Sequence, residues 1–202
     1  MSTAPPRLPA AERREALIET AIKAFAAGSY RGVTTAEIAR AAGVSEPILY
    51  RHFVSKRDLY LAAVEHVWRD VRAKWEEVAE AGSDPAAWVG HMGKANVSLT
   101  GGKFILAELW VQALTEAGED PELKKYLRKH LREVHDFIAA KLVEAQAAGG
   151  IAPERDADAE AWIMLTGGFA GMIGRRIGLL GEEDLARIRA ARLEWLTGQR
   201  PD

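Results

Sequence analysis

The chain has 202 residues, of which 48% are hydrophobic and 28% charged, and its net charge is −2. This balance is typical of a folded globular chain with one large domain or two small ones, and it excludes a disordered chain and a polybasic nucleic-acid binder. The absence of cysteine excludes disulfides, thiol catalysis and cysteine-ligated metal or iron–sulfur sites. The first 60 residues carry nine basic against six acidic side chains, so we expect a polyanionic partner at that end only.

Turn residues divide the chain into segments with helical periodicity, and none alternates apolar and polar residues as a strand does. The sequence therefore predicts an all-α fold of about nine helices. After the first helix, Thr34 and Glu37 form a capping box that opens the second helix, which ends at Gly43. The third runs from Glu46 to about Phe53.

The remaining six helices are longer. Ser55 caps the fourth, with Val54 and Leu59 spaced as a hydrophobic staple, and Asp84-Pro85 and Asp120-Pro121 open the fifth and seventh. The sixth, eighth and ninth cover about residues 103–114, 156–177 and 182–196. The change from short to long helices places the domain boundary near Ser55, which gives domains of residues 1–55 and 56–202.

The second and third helices are separated by only three residues, Gly43, Val44 and Ser45. Glycine can adopt a positive φ and turn the chain sharply, and Ile38 and Leu49 are placed to pack the pair. This spacing predicts a helix-turn-helix, whose second helix enters the DNA major groove. The alternative is a tight helix pair with a purely structural role.

Pro47 is compatible with a helix only in its first turn, where a missing N–H costs little. The N-cap is either Ser45 or Glu46, and we favour Glu46 because proline restricts the residue before it to extended geometry. Pro47 and Ile48 are suited to contact a thymine methyl group, and Glu46 either accepts from a cytosine amino group or only caps.

Polar donors follow on the same segment. We expect the hydroxyl, imidazole and ammonium groups of Tyr50, His52 and Lys56 to donate to phosphate oxygens. The helix N-termini at Thr34 and Ser55 also favour phosphate. In the alternative interpretation, Tyr50 and His52 only cover the edge of a small core.

The run "GSYRGVTTAEIARAAGVSEPILYRHFVSKRDLYLA" closely resembles the DNA-binding domain of the tetracycline-repressor (TetR) family of bacterial regulators. The matching elements include "IA" at residues 38–39, "AGVS" at 42–45 and "LYRHF" at 49–53. The resemblance implies a two-domain helical homodimer with a DNA-binding domain, a ligand pocket in the second domain and a dimer interface on the last two helices. It assigns DNA contacts to Thr34, Thr35, Ser45, Glu46, Pro47, Tyr50, His52 and Lys56.

The second domain carries all six tryptophans. Its aromatic side chains and the expected absence of a buried cationic cluster favour a hydrophobic or aromatic effector in an apolar pocket. The candidate pocket residues are Trp68, Trp88, Met92, Trp110, Leu114, Phe137, Trp162 and Phe169. The candidate dimer residues are Trp162, Leu165, Phe169, Ile173, Leu185, Ile188 and Trp195, with close approach aided by glycines in the penultimate helix. Packing within one chain is the alternative for both sets.

Enzyme activity is a distant second interpretation, and a helical module for protein partners is a third. His130 and His135 are five residues apart, so on one helix they diverge by ~140° and cannot chelate a metal together. The sequence has no HExxH or GxSxG motif. We therefore expect a cytoplasmic, ligand-responsive transcriptional regulator, most often a repressor, with no cofactor and no membrane partner. A small effector would release it from a near-palindromic DNA operator.

Overall fold

The computed structural model describes residues 9–81 and 105–198, and every regular element in these ranges is a helix. The eight helices of the described residues are α1 (Ala10–Ala27), α2 (Thr35–Ala41), α3 (Glu46–Leu49), α4 (Lys56–Ala81), α5 (Ile105–Glu116), α6 (Pro121–Ala147), α7 (Ala157–Arg176) and α8 (Glu182–Thr197). The all-α prediction is confirmed. The remaining predicted helix, which opens at Asp84-Pro85, lies outside the described residues. No helix within them is long and apolar enough to cross a membrane.

The chain divides into two compact units, residues 1–68 and 69–202. The division falls inside α4, whereas the sequence placed a domain boundary near Ser55, where this helix begins. Packing explains the difference, because Leu59 and Tyr60 on the first turns of α4 are fully buried. The ring of Tyr60 lies edge-on to Phe25 and Tyr30, with centroid distances of 4.9 and 4.8 Å.

The core of the first unit is built from one apolar face of each short helix. α2 packs against both α1 and α3. Ile38 from α2 and Leu49 from α3 are fully buried, as predicted, and Phe25 from α1 and Phe53 join them. Burial of each such side chain contributes about 1.5–3 kcal/mol, so these contacts fix the angle between α2 and α3.

The second unit is organised around α6 and α7, with α5 packed against both. On the apolar stripe of α6, the buried residues are Leu127, Val134, Ile138 and Leu142, and Leu131 is half-buried. The start of this helix is as predicted, because the Asp120 carboxylate accepts hydrogen bonds from the first-turn N–H groups of α6. The carboxylate therefore satisfies donors that have no partner within the helix.

A backbone hydrogen bond and a side-chain hydrogen bond connect α8 to the rest of this unit. The Gln146 amide donates to the Ala152 carbonyl at 3.2 Å, and the Ala152 N–H donates to the carbonyl of Leu196 at 3.0 Å. The indole N–H of Trp195 donates to the buried carboxylate of Glu160 at 3.1 Å. The C-terminal end of α8 is therefore held by α7 and by the loop between α6 and α7.

The glycines of α7 differ in their surroundings. A Cβ at Gly174 would lie 2.5 Å from the Leu180 side chain, and one at Gly171 would lie 3.4 Å from Leu185. A Cβ at Gly167 or Gly168 would meet no described atom within 4 Å. Close approach at Gly171 and Gly174 is thus used within one chain.

Candidate nucleic-acid interface

The turn between α2 and α3 has the geometry that the sequence predicts. Gly43 has a φ of +69°. Its N–H donates to the Arg40 carbonyl at 3.1 Å, and the N–H of Val44 donates to the Ala39 carbonyl at 2.9 Å. This pair of bonds is the Schellman arrangement, which ends a helix with a residue in the left-handed region. The turn therefore directs the chain from α2 into α3.

The N-cap of α3 is Ser45, and Glu46 is the first helical residue. Our preference for Glu46 as the N-cap was wrong. Pro47 occupies the second helical position, and the Ile48 N–H donates to the Ser45 carbonyl at 2.9 Å. The Ser45 hydroxyl makes no capping hydrogen bond within the described residues. Proline disfavours a helical backbone at the residue before it. Glu46 is helical here, and its side chain accepts a hydrogen bond from Thr35 on α2.

The third helix is shorter than predicted, since its regular part ends at Leu49 and Tyr50 is its C-cap. Backbone bonds nevertheless continue the turns, because the Phe53 N–H donates to the Leu49 carbonyl at 3.1 Å. The nine predicted DNA contacts fall into three classes of exposure. The exposed ones are Thr34, Ser45, Pro47 and Tyr50, the half-buried ones are Glu46, Ile48, His52 and Lys56, and Thr35 is buried.

Thr35 connects α2 to α3. Its side chain is only 7% exposed, and its hydroxyl donates to Glu46 Oε1 at 2.5 Å. The Thr35 hydroxyl oxygen also lies 3.1 Å from the hydroxyl oxygen of Tyr50. A buried hydroxyl with these partners does not reach a DNA phosphate, so the direct contact expected of Thr35 is corrected to a positioning role. Glu46 likewise has a partner within the protein.

The capping box at the start of α2 is confirmed. Both the backbone N–H and the hydroxyl of Thr34 donate to Glu37 Oε2 at 2.8 Å, and the Glu37 N–H donates back to the Thr34 hydroxyl. These two hydrogen bonds, the backbone one first, hold the pKa of Glu37 below its ordinary value, with help from the charges of Arg40 and Lys56. A carboxylate thus occupies the donors that the sequence assigned to phosphate.

Lys56 lies against an aromatic cluster. Its ammonium group is 4.8 Å from the centroid of the Tyr30 ring and donates to the Arg31 carbonyl at 3.4 Å. A cation over a ring face is attracted by the quadrupole of the ring. These contacts fix the position of the charge at the N-terminus of α4.

The loop before α4 departs from the predicted staple. Ser55 accepts from the Asp58 N–H at 3.1 Å, as a cap should, and Asp58 accepts from the Val54 N–H at 3.0 Å. Val54 is 88% exposed whereas Leu59 is fully buried, so these two side chains do not pack together. The hydrogen bond from Val54 to Asp58 sets the entry of the chain in place of an apolar contact.

Two basic side chains near the turn were absent from the predicted contacts. Arg40 on α2 and Arg51, directly after Tyr50, are both exposed. Arg51 lies inside the "LYRHF" run, so its position in the motif was the available signal. Both belong to the basic surplus of the first 60 residues.

In the second unit, two of the predicted pocket residues meet. The ring of Trp110 lies 5.4 Å from Phe169 and 5.6 Å from His130, and His130 stacks on Tyr126 at 5.5 Å. Trp110 is 4% exposed, and its indole N–H has no hydrogen-bond partner within the described part of the chain.

The other pocket candidates are dispersed. Phe137 stacks on Trp75 at 6.1 Å, and Trp162 stacks on His135 at 4.3 Å. Leu114 is 51% exposed. Trp68 is buried and is the last residue of the first unit. The candidates Trp88 and Met92 lie outside the described residues.

The dimer candidates separate by exposure. Leu165 and Leu185 are buried within the single chain, so they pack inside it. Ile173, Ile188 and Trp195 are about half exposed, with relative exposures of 48, 51 and 52%. The remaining two, Trp162 and Phe169, are half-buried.

The fold and the site together define a helix-turn-helix DNA-binding protein with a separate helical unit. Comparison with protein families extends this assignment. Residues 17–63 match the model for bacterial regulatory proteins of the TetR family, and residues 85–194 match the model for the C-terminal part of BetI-type transcriptional repressors. The second match covers more than half of the chain, and the chain belongs to the TetR family of transcriptional regulators.

Individual relatives of the chain are also transcriptional regulators. The chain is 25% identical over 141 residues to the transcriptional regulator UidR of Escherichia coli K12, which covers 70% of each chain. It is 48% identical over 59 residues to the transcriptional activator FasR of Mycolicibacterium smegmatis, which covers 29% of this chain and 27% of FasR.

Solved structures share the fold. A regulator from Saccharomonospora viridis in complex with choline matches with a TM-score of 0.76 and 21% identity, over 92% of this chain and 95% of the other. FadR from Bacillus subtilis in complex with stearoyl-CoA matches with a TM-score of 0.72 and 17% identity, over 92% and 98% of the two chains.

Proposed function

We propose that this regulator is a homodimeric repressor that a small hydrophobic or aromatic effector releases from a near-palindromic operator. The observation that carries the proposal is the exposed edge of the helix-turn-helix, formed by Ser45, Pro47 and Tyr50. Repression is favoured over activation because the family model that covers most of the second unit is that of repressors.

We assign base contacts to the leading edge of α3. Pro47 is exposed and Ile48 half-buried, and both carry apolar atoms suited to a thymine methyl group. Contacts with the DNA phosphates fall to the half-buried Lys56 and His52, because the donors of Thr34 are held by Glu37. The DNA-binding domain is residues 1–55, and the first turns of α4, which carry Lys56, support it.

The dimer would form through exposed apolar side chains on the last two helices. Ile163 and Ile173 on α7 and Ile177, its C-cap, have exposures of 47, 48 and 68%, and α8 adds Ile188 and Trp195. Large exposed apolar side chains on neighbouring helices suit an interaction site. A two-fold dimer would then place the two copies of α3 about one DNA turn, ~34–36 Å, apart.

We place the effector at Trp110 and Phe169. Aromatic walls and an indole N–H that has no acceptor among the described residues suit an apolar or aromatic molecule that carries a hydrogen-bond acceptor. Neighbours of the same fold bind small molecules, choline in one case and stearoyl-CoA in another. Binding would favour a conformer with a different spacing of the two α3 helices and so lower DNA affinity by linkage.

A gel-shift experiment with the region upstream of its own gene tests the proposal. A specific complex at moderate salt is expected, and its dissociation by an effector found in a thermal-shift screen would support the release. Lys56→Ala should weaken binding to all sequences and make the negative slope of log K against log salt shallower by about one. Lys124→Ala, an exposed lysine on α6, is the matched control and should change neither. Absence of any specific complex would contradict the proposal.

A further inference from the structure

Three polar side chains form a hydrogen-bonded chain across the helix-turn-helix. Thr35 on α2 is 7% exposed, Glu46 at the start of α3 is half-buried, and Tyr50 at its end is 46% exposed. Thr35 Oγ1 lies 2.5 Å from Glu46 Oε1 and 3.1 Å from the hydroxyl oxygen of Tyr50. The Thr35 hydroxyl therefore links the Glu46 carboxylate to the phenol of the exposed residue Tyr50.

The number of hydrogens fixes the direction of each bond. A threonine hydroxyl carries one hydrogen, and Thr35 donates it to the carboxylate of Glu46. Its oxygen can then take part in the 3.1 Å contact only as the acceptor, so Tyr50 must be the donor there. A tyrosine hydroxyl also carries one hydrogen. Once that hydrogen is donated to Thr35, the Tyr50 oxygen can only accept a further hydrogen bond.

This polarity decides what Tyr50 can bind on DNA. A phosphate oxygen has no hydrogen to donate, so it cannot form a hydrogen bond to a phenol oxygen that acts as an acceptor. In the major groove, adenine and cytosine present an amino donor, whereas the O6 of guanine and the O4 of thymine are acceptors. The earlier expectation that Tyr50 donates to phosphate therefore conflicts with the observed geometry.

We propose that Glu46, acting through Thr35, fixes Tyr50 as a hydrogen-bond acceptor, and that Tyr50 selects an amino base over a keto base at one position of each half-site. The inference rests on the proposed operator binding and names one element of its specificity. Glu46 is a positioning residue here, since its carboxylate holds the hydrogen of Thr35. Without it, Thr35 can donate to Tyr50, and Tyr50 can donate outward.

Selection of duplexes from a randomised DNA pool by the full-length chain tests this. The parent should enrich adenine or cytosine over guanine or thymine at one position by roughly three- to tenfold, the value of one hydrogen bond. Tyr50→Phe should abolish that preference and leave the other positions unchanged. Glu46→Gln should retain it, because the amide oxygen still accepts from Thr35. Glu46→Ala should weaken it and admit keto bases.

Thr35→Val is a second test if circular dichroism shows that Glu46→Ala is unfolded. Valine has a shape similar to that of threonine but lacks the hydroxyl that links Glu46 to Tyr50. The substitution should relax the same position. Two results would overturn the proposal. Tyr50→Phe could lower affinity equally for all sequences with every preference intact, which is the signature of a phosphate contact. The preference could also stay at full strength in both Glu46→Ala and Thr35→Val. Failure of the parent to enrich any sequence is a distinct result that removes the proposed function and this inference with it.

Discussion

Replacing Gly43 with alanine tests the turn that orients α3. Gly43 has a φ of +69°, and a Cβ at this position meets no described atom within 4 Å. The cost is therefore conformational rather than steric. A left-handed conformation costs an L-residue about 1–2 kcal/mol, and alanine recovers about 0.4–1 kcal/mol by restricting the unfolded chain. We expect a net destabilisation of about 1 kcal/mol.

The assay is urea unfolding of the full chain, followed by circular dichroism. Gly149→Ala is the matched control, because Gly149 ends α6 in the same hydrogen-bond arrangement, has a φ of +79° and is equally open. It should lose a similar free energy. Gly43→Asn should lose less, since asparagine tolerates the left-handed region better than alanine. The two alanine variants should differ in DNA affinity.

In Gly43→Ala, the strain at residue 43 can be relieved if the turn opens and α3 changes its orientation. The strain is about 1 kcal/mol, so this opening can lower DNA affinity by at most roughly fivefold. Gly149→Ala should bind DNA as the parent does. The reasoning is refuted if Gly43→Ala is as stable as the parent, because the turn then does not need a positive φ. It is also refuted if both alanine variants lose the same DNA affinity, which would indicate general destabilisation.

Three further predictions concern other parts of the chain. Gly174→Ala should be about 1–3 kcal/mol less stable than Gly168→Ala in urea, because only the first places a Cβ 2.5 Å from Leu180, and equal stabilities would contradict this. Glu37→Gln keeps an acceptor for the capping box but loses the carboxylate, whose folded-state pKa is lowered. The advantage of the parent in melting temperature should therefore be full above about pH 4.3 and be lost as the pH falls through the lowered value; a pH-independent difference would count against it. Trp110→Phe should weaken effector binding roughly threefold to tenfold in a fluorescence titration while effector-free DNA binding is unchanged, and an unaltered effector affinity would exclude its N–H as a contact.

The fold was predictable where the signals are local. Gly43 ends α2, Asp120 opens α6, and Thr34 with Glu37 forms the capping box, and each depends on residues within one turn of the chain. Helical periodicity also identified the buried faces, since an amphipathic helix must cover its apolar stripe.

The parts that sequence reasoning missed depend on contacts between helices. Local rules before proline favoured Glu46 as the N-cap, but a hydrogen bond from Thr35, eleven residues earlier, accompanies its place inside the helix. The same contact removes Thr35 from the DNA surface and sets the polarity of Tyr50. Val54 and Leu59 have the spacing of a hydrophobic staple, yet the hydrogen bond from the Val54 N–H to Asp58 determines the conformation of that loop. Spacing alone does not tell which of two compatible partners a side chain takes.

The central claim is that two copies of α3 read one operator as a dimer. Footprinting of the full chain on duplexes selected by the parent tests it most directly. We expect two protected major-groove segments, related by two-fold symmetry and separated by roughly one helical turn, 10–10.5 base pairs, or a multiple of it. We also expect an effector identified by thermal shift to remove the protection of both segments together. A single protected segment, or protection that the effector leaves in place, would contradict the account.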